Sequence, residues 1–169
     1  RENPPAQSPQ NFARLRRVRL ALSGLLLALT VPLALGGVWL VDLLYDARYA
    51  NAQVVVVMVA IGLLPQILTL SYDSVALASG DSRGFFMLNA VRAALFVGTM
   101  LVTVPAMGVA GAALGFGLTH LLCWPLVARL ANHHGAWDPA HDALMGALAV
   151  LVALAALWLH GPLILTPIG

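Results

Sequence analysis

The sequence predicts an all-α protein, a polytopic transmembrane helical bundle of about five spans. Three observations lead there. Hydrophobic residues make up 60% of the chain, charged residues 9%, and the mean hydropathy is +0.88, which lies outside the soluble globular class. Uncharged apolar runs recur at lengths that cross about 30 Å of hydrocarbon. Polar segments separate these runs, and arginines collect on alternate ones. The 169 residues are enough for one membrane lobe, with no separate soluble domain.

Residues 1–19 read as a basic cytoplasmic segment and 20–169 as the transmembrane lobe. Pro4, Pro5 and Pro9 keep the start irregular, and Arg14, Arg16, Arg17 and Arg19 abut the first span, a cytoplasmic anchor under the positive-inside rule. A nucleic-acid patch fits poorly, since no aromatic side chains are interleaved to stack bases. The first span, 20–41, contains Pro32 and Gly36-Gly37, which predict a kink. Tyr45 and Tyr49 then mark an interfacial segment, with Asp46 as a candidate cap for the next helix.

The second span, 53–79, places Gln66, Thr69 and Asp73 on one helical face, extended by Gly62 and Ala76. That stripe faces either a cavity, with Pro65 freeing carbonyls toward it, or a neighbouring helix. Gly80-Asp81-Ser82-Arg83-Gly84 forms a turn into the third span, 85–104, where Asn89 and Arg92 share a face. Pro105 to Gly108 turns into the fourth span, 109–128, whose Gly108, Gly111 and Gly115 predict close helix packing. The second polar loop, 129–142, contains His133, His134, Asp138 and His141. These four make a metal site on paper, against the simpler reading of Asp138-Pro139 as cap and first helical residue. The fifth span is 143–160, and Gly161 to Gly169 reads as the start of a sixth.

Asp73 and Arg92 flank the 80–84 turn at similar distances, roughly 10–12 Å along adjacent antiparallel helices. His120 falls roughly 13 Å in from the same side. Ionisable groups at membrane depth mark substrate or ion pathways and take one another as partners. Arg92, Asp73 and His120, with Asn89 and Gln66, are therefore the candidate cavity residues. The alternative is an Asp73–Arg92 ion pair that only holds the hairpin. Arginine suits a phosphate or pyrophosphate, gripping it with a planar fork. No hydrolase, P-loop, dinucleotide or metalloprotease motif is present. The lone Cys123 lies in an apolar run as a small hydrophobe. With the N-terminus inside, Arg1, Arg14, Arg16, Arg17, Arg19, Arg83 and Arg129 are cytoplasmic and Arg48 alone is outside. The chain begins at Arg1 and reads as part of a longer protein.

Three stretches carry a family resemblance. Leu43-Leu44-Tyr45-Asp46-Ala47-Arg48-Tyr49-Ala50-Asn51-Ala52 resembles the span-closing signature of oligosaccharide flippases in the MOP (multidrug/oligosaccharidyl-lipid/polysaccharide) exporter superfamily, with Asp46 where those proteins usually have glycine. Ala76-Leu77-Ala78-Ser79-Gly80-Asp81-Ser82-Arg83 is similar to their short basic turn. Val104-Pro105-Ala106-Met107-Gly108-Val109-Ala110-Gly111-Ala112-Ala113 resembles their proline–glycine hairpin. The resemblance covers about 20–129. It implies a Wzx-like flippase for undecaprenyl-pyrophosphate-linked oligosaccharide in the bacterial inner membrane, working by alternating access. It further implies that this chain is the C-terminal lobe of a MATE-like transporter. The implied partners are the lipid-linked oligosaccharide, membrane lipids and the N-terminal lobe, with no cofactor beyond a coupling H+ or Na+ gradient. A lipid II flippase, a multidrug/cation antiporter and a non-transporting anchor module are the alternatives.

Overall fold

The computed structural model describes residues 9–165. Arg1, Pro4, Pro5 and residues 166–169 of the expected sixth span lie outside the described residues. All described elements are helical, and four of the helices are long and apolar enough to cross a membrane.

Helix α1, Pro9–Leu44, is continuous through Pro32 and absorbs the basic segment from Pro9 onward. Arg14 to Arg19 are thus helical and in register with the span. Gly37 serves close packing, since a Cβ there would strike Val56 of the next helix. A 3-10 turn, Ala47–Tyr49, follows, and the Tyr45 and Tyr49 rings meet at 5.2 Å. The cap expected from Asp46 does not form. Helix α2, Ala50–Leu70, has Tyr49 at its N-cap and no side-chain cap bond, and Asp46 contributes only its carbonyl, to the Tyr49 amide. Gln53 instead donates to Asp42 across the turn.

Apolar all round, α2 takes the centre of the bundle, touching α1, α4 and α5. Val57, Met58, Ala60 and Leu64 are fully buried along it. The predicted span 53–79 is not one helix. It ends at Leu70, passes through a turn at 71–74, and resumes as the single turn α3, Val75–Ala78. Thr69, Ser71, Asp73 and Ser74 cluster there, residue types that compete with the helix for backbone hydrogen bonds. The amides of Tyr72, Asp73 and Val75 accordingly bond three residues back. Asp73 sits inside this break.

Helix α4, Ser82–His133, folds back on itself at Gly108, whose φ of 58° and ψ of −132° are open to glycine. Its arms, 82–107 and 109–133, contain the predicted third and fourth spans and extend them. Asp81 caps the first arm, accepting from the Gly84 amide at 2.7 Å. Gly111 and Gly115 face Thr103 and Met100 of the other arm at distances no side chain would allow, so the predicted glycine packing closes the hairpin seam. Thr99 and Thr119 bond across it at 2.8 Å. The second arm lies on α2 through Gly62 and Gly117, backbone against backbone.

Helix α5, Pro139–Leu165, begins as predicted, with Asp138 accepting from the His141 amide at 3.1 Å. It does not stop at His160. His160 donates to the Leu35 carbonyl and Ile164 packs on the clusters around Val57 and Met58, so residues 161–165 continue the fifth helix rather than open a sixth. The chain order gives two ends. The N-terminal end holds the start of α1, the 79–81 turn and the 134–138 loop. The far end holds the 45–49 turn and Gly108.

A Cβ at Gly62 would collide with the Ala113 carbonyl, whereas one at Gly98 meets nothing within 4 Å. Gly62→Ala should therefore lower stability by about 1–3 kcal/mol through forced separation of α2 from α4. Gly98→Ala should be neutral or slightly stabilising. Thermal unfolding in detergent distinguishes the two.

Candidate functional site

Two polar clusters lie at the N-terminal end of the bundle, and they differ in how far their ion pairs are open, 18% and 30% exposed in the first against 0% and 4% in the second. The first is the predicted pair. Arg92 grips Asp73 bidentately, Nη2 to Oδ1 at 2.5 Å and Nη1 to Oδ2 at 3.1 Å. The side chains retain 18% and 30% of their exposure, so the pair stays open on one side. It joins the α2–α3 break to the first arm of α4. Buried Cys123 lies beside the guanidinium. His120, one turn earlier on the second arm, is within electrostatic reach of both charges and is held by Thr69, Nδ1 to Oγ1 at 2.9 Å. The Phe116 ring lies against His120, centroids 4.8 Å apart and planes tilted by 57°.

The structure thus brings Asp73, Arg92 and His120 together. It does not bring in the other two candidates. Asn89 donates to its own helix at the Phe85 carbonyl, 2.8 Å away, and Gln66 is half-buried with only its carbonyl engaged, by Thr69. Along the predicted stripe, Gly62, Thr69 and Ala76 pack into protein, and Gln66 and Asp73 stay partly open.

The second cluster escaped the sequence reading. The Asp142 carboxylate accepts from the Tyr72 hydroxyl at 2.7 Å, from Trp124 and Trp137 indole N–H groups at 3.1 Å each, and meets His141 Nδ1 at 3.1 Å. His141 Nε2 lies 2.9 Å from the Ser23 hydroxyl. Arg19 stacks over the Tyr72 ring at 4.2 Å and donates to the Ala136 carbonyl at 3.0 Å, while Arg16 pairs with Asp138 at 3.2 Å. One network therefore ties α1, the 71–74 turn after α2, the second arm of α4, the 134–138 loop and α5 together. Its signal was present in the sequence. Arg16, Arg19 and Ser23 recur at three and four residues on one face of α1, and Asp138, His141 and Asp142 crowd the first turn of α5.

Ser23, His141 and Asp142 follow the hydrogen-bond order of a hydrolase triad. Ser23 and His141 are only 2% and 1% exposed, however, so the hydroxyl meets no substrate carbonyl and the line acts as an interhelical clasp. The paper metal site is not assembled either. His134 bonds Asp81 at 3.1 Å, His141 faces Ser23 and Asp142, and no three ligands converge among the described residues. Asp81 is partly exposed, like Asp73. The Gly84 amide, more than His134, holds its carboxyl below the usual carboxylate range.

An apolar groove of about 510 Å³ runs along the α4 hairpin, lined by Val91, Leu95, Gly98, Val102, Leu118 and Leu122 among others. It contains none of the predicted site residues. No protein-family model matches the chain, and neither a curated protein nor a solved structure matches it.

Asp142→Ala should destabilise the protein by about 3 kcal/mol, because it strands a hydroxyl and two indole donors in the interior. Asn89→Ala, which removes a bond to its own helix, should be close to neutral. Equal melting temperatures for Asp142→Ala and the parent would contradict the clasp.

Proposed function

We propose that this chain is one lobe of a multi-pass flippase in the bacterial inner membrane, with its N-terminus cytoplasmic. The substrate is an undecaprenyl-pyrophosphate-linked oligosaccharide used in surface polysaccharide synthesis. The N-terminal lobe of the same protein supplies the other wall of the path. Support comes from the three motif resemblances and from six arginines gathered at the N-terminal end among the described residues outside the span interior, against Arg48 at the far end.

One observation carries the reading. Arg92 is a partly open guanidinium at a membrane helix seam, and its counter-ion, Asp73, stands in a helix break. A pyrophosphate can present two oxygens to the planar Arg92 fork, as the Asp73 carboxylate does, with more charge. It competes for the fork, and Asp73 leaves with the movement of the 71–74 turn. His120 lines the same seam, and Asp73, once released, is the group left to meet a coupling cation. An occupied path then trades one ion pair for another rather than exposing a bare charge to lipid.

A second reading is favoured by the bidentate geometry itself, in which the pair only fastens the hairpin to α3. Mutagenesis in a producing bacterium separates the two. Arg92→Ala should abolish surface polysaccharide while the full-length protein still inserts, and normal polymer would overturn the substrate role. The exchange Asp73→Arg with Arg92→Asp should leave a folded but inactive protein. Restored polymer would favour the fastening role.

A further inference from the structure

We infer that the exposed arginines at the N-terminal end of the bundle, Arg14 and Arg17 on α1 and Arg83 and Arg129 on α4, dock anionic phospholipid headgroups. Partner by partner, the charges at this end leave those four over. Asp73, Asp81, Asp138 and Asp142 are the aspartates here among the described residues, and each has a protein partner: Arg92, the Gly84 amide with His134, Arg16, and the Tyr72–Trp124–Trp137–His141 set. Arg16, Arg19 and Arg92 are committed in the same bonds or to the Ala136 carbonyl. Arg14, Arg17, Arg83 and Arg129 are exposed and have no protein partner among the described residues. The basic cluster of the sequence thus divides in two, one half turned into the protein and one half left for something else.

Depth identifies what that something is. Helix α1 has 36 residues, about 54 Å at 1.5 Å each, against about 30 Å of hydrocarbon and 40–45 Å with headgroups. Tyr45 and Tyr49 mark the far interface. Counting back about 20 residues from Val41 sets the near hydrocarbon boundary close to residue 21. Tyr72, Trp124 and Trp137 gather around Asp142 just inside that level, where an aromatic belt belongs. Arg14 and Arg17 therefore stand at phosphate depth. Below Arg14, Val18, Leu22, Leu25 and Leu29 form an exposed apolar stripe, 52%, 51%, 59% and 61% accessible. A phosphate on Arg14 leaves its acyl chain lying along that stripe. A cation directly above an apolar ridge fits an amphiphile with a negative head.

The test is native mass spectrometry of the purified full-length protein with phosphatidylglycerol or phosphatidylcholine. The wild type should retain phosphatidylglycerol preferentially, with the preference shrinking as salt rises. Neutralising one arginine should reduce the preference about fivefold at low salt. Joint replacement, Arg14→Gln, Arg17→Gln, Arg83→Gln and Arg129→Gln, should erase it. The same four changed to Lys should keep it, and Arg48→Gln, at the opposite end, should leave it unchanged. Equal retention of the two lipids by the wild type, or a preference that survives the quadruple Gln variant, overturns the proposal.

Discussion

Inside a bilayer no water relieves an unpaired polar group, so each one must find its partner in the protein. The Asp142 carboxylate shows what that constraint demands. Both oxygens are taken by donors from three other segments, and His141 passes the connection on to Ser23 of α1. Those bonds fix how α1, the 71–74 turn, α4 and α5 meet at the N-terminal end. Farther along, close backbone approaches at Gly62–Ala113, Gly62–Gly117 and Gly111–Thr103 take over. Contacts of that kind hold helices together where lipid is as apolar as the side chains.

The same constraint separates the two polar clusters by chemistry. The Asp142 carboxylate is buried with both oxygens bonded, which leaves it structural. The Asp73–Arg92 pair is partly open and rests on a segment whose local backbone bonds have already lapsed from the α-helical pattern. A short turn between α2 and α3 moves more cheaply than a continuous helix, since fewer ordered hydrogen bonds must break. The open pair and the helix break therefore coincide on the same few residues, with His120 tethered alongside by Thr69.

The bundle was legible in the sequence because composition and span length are direct readouts of the bilayer. The hairpin bend at Gly108 and the Asp138-Pro139 helix start followed from residue-level turn and cap chemistry, and the Asp73–Arg92 pairing from equal distances to one turn. The break at 71–74 was missed because hydropathy continues smoothly through Leu70 and Tyr72, and only the local run of Thr, Ser and Asp disturbs the backbone. Asp142 was missed because its donors come from positions 72, 124, 137 and 141, a convergence that only the packed helices create. Asn89 and Gln66 share a helical face with the pair, yet face alone does not decide whether a side chain bonds its own backbone or its neighbour.

The contrast between an open pair and a closed clasp is tested most directly by water accessibility. Single cysteines at positions 73, 92, 23 and 141, in a full-length protein with Cys123→Ala, would be treated in membranes with a small thiol reagent. Labelling at 73 and 92 with protection at 23 and 141 is the predicted result. Protection at all four in a folded protein would contradict it, leaving Asp73 and Arg92 as a dry fastening between helices.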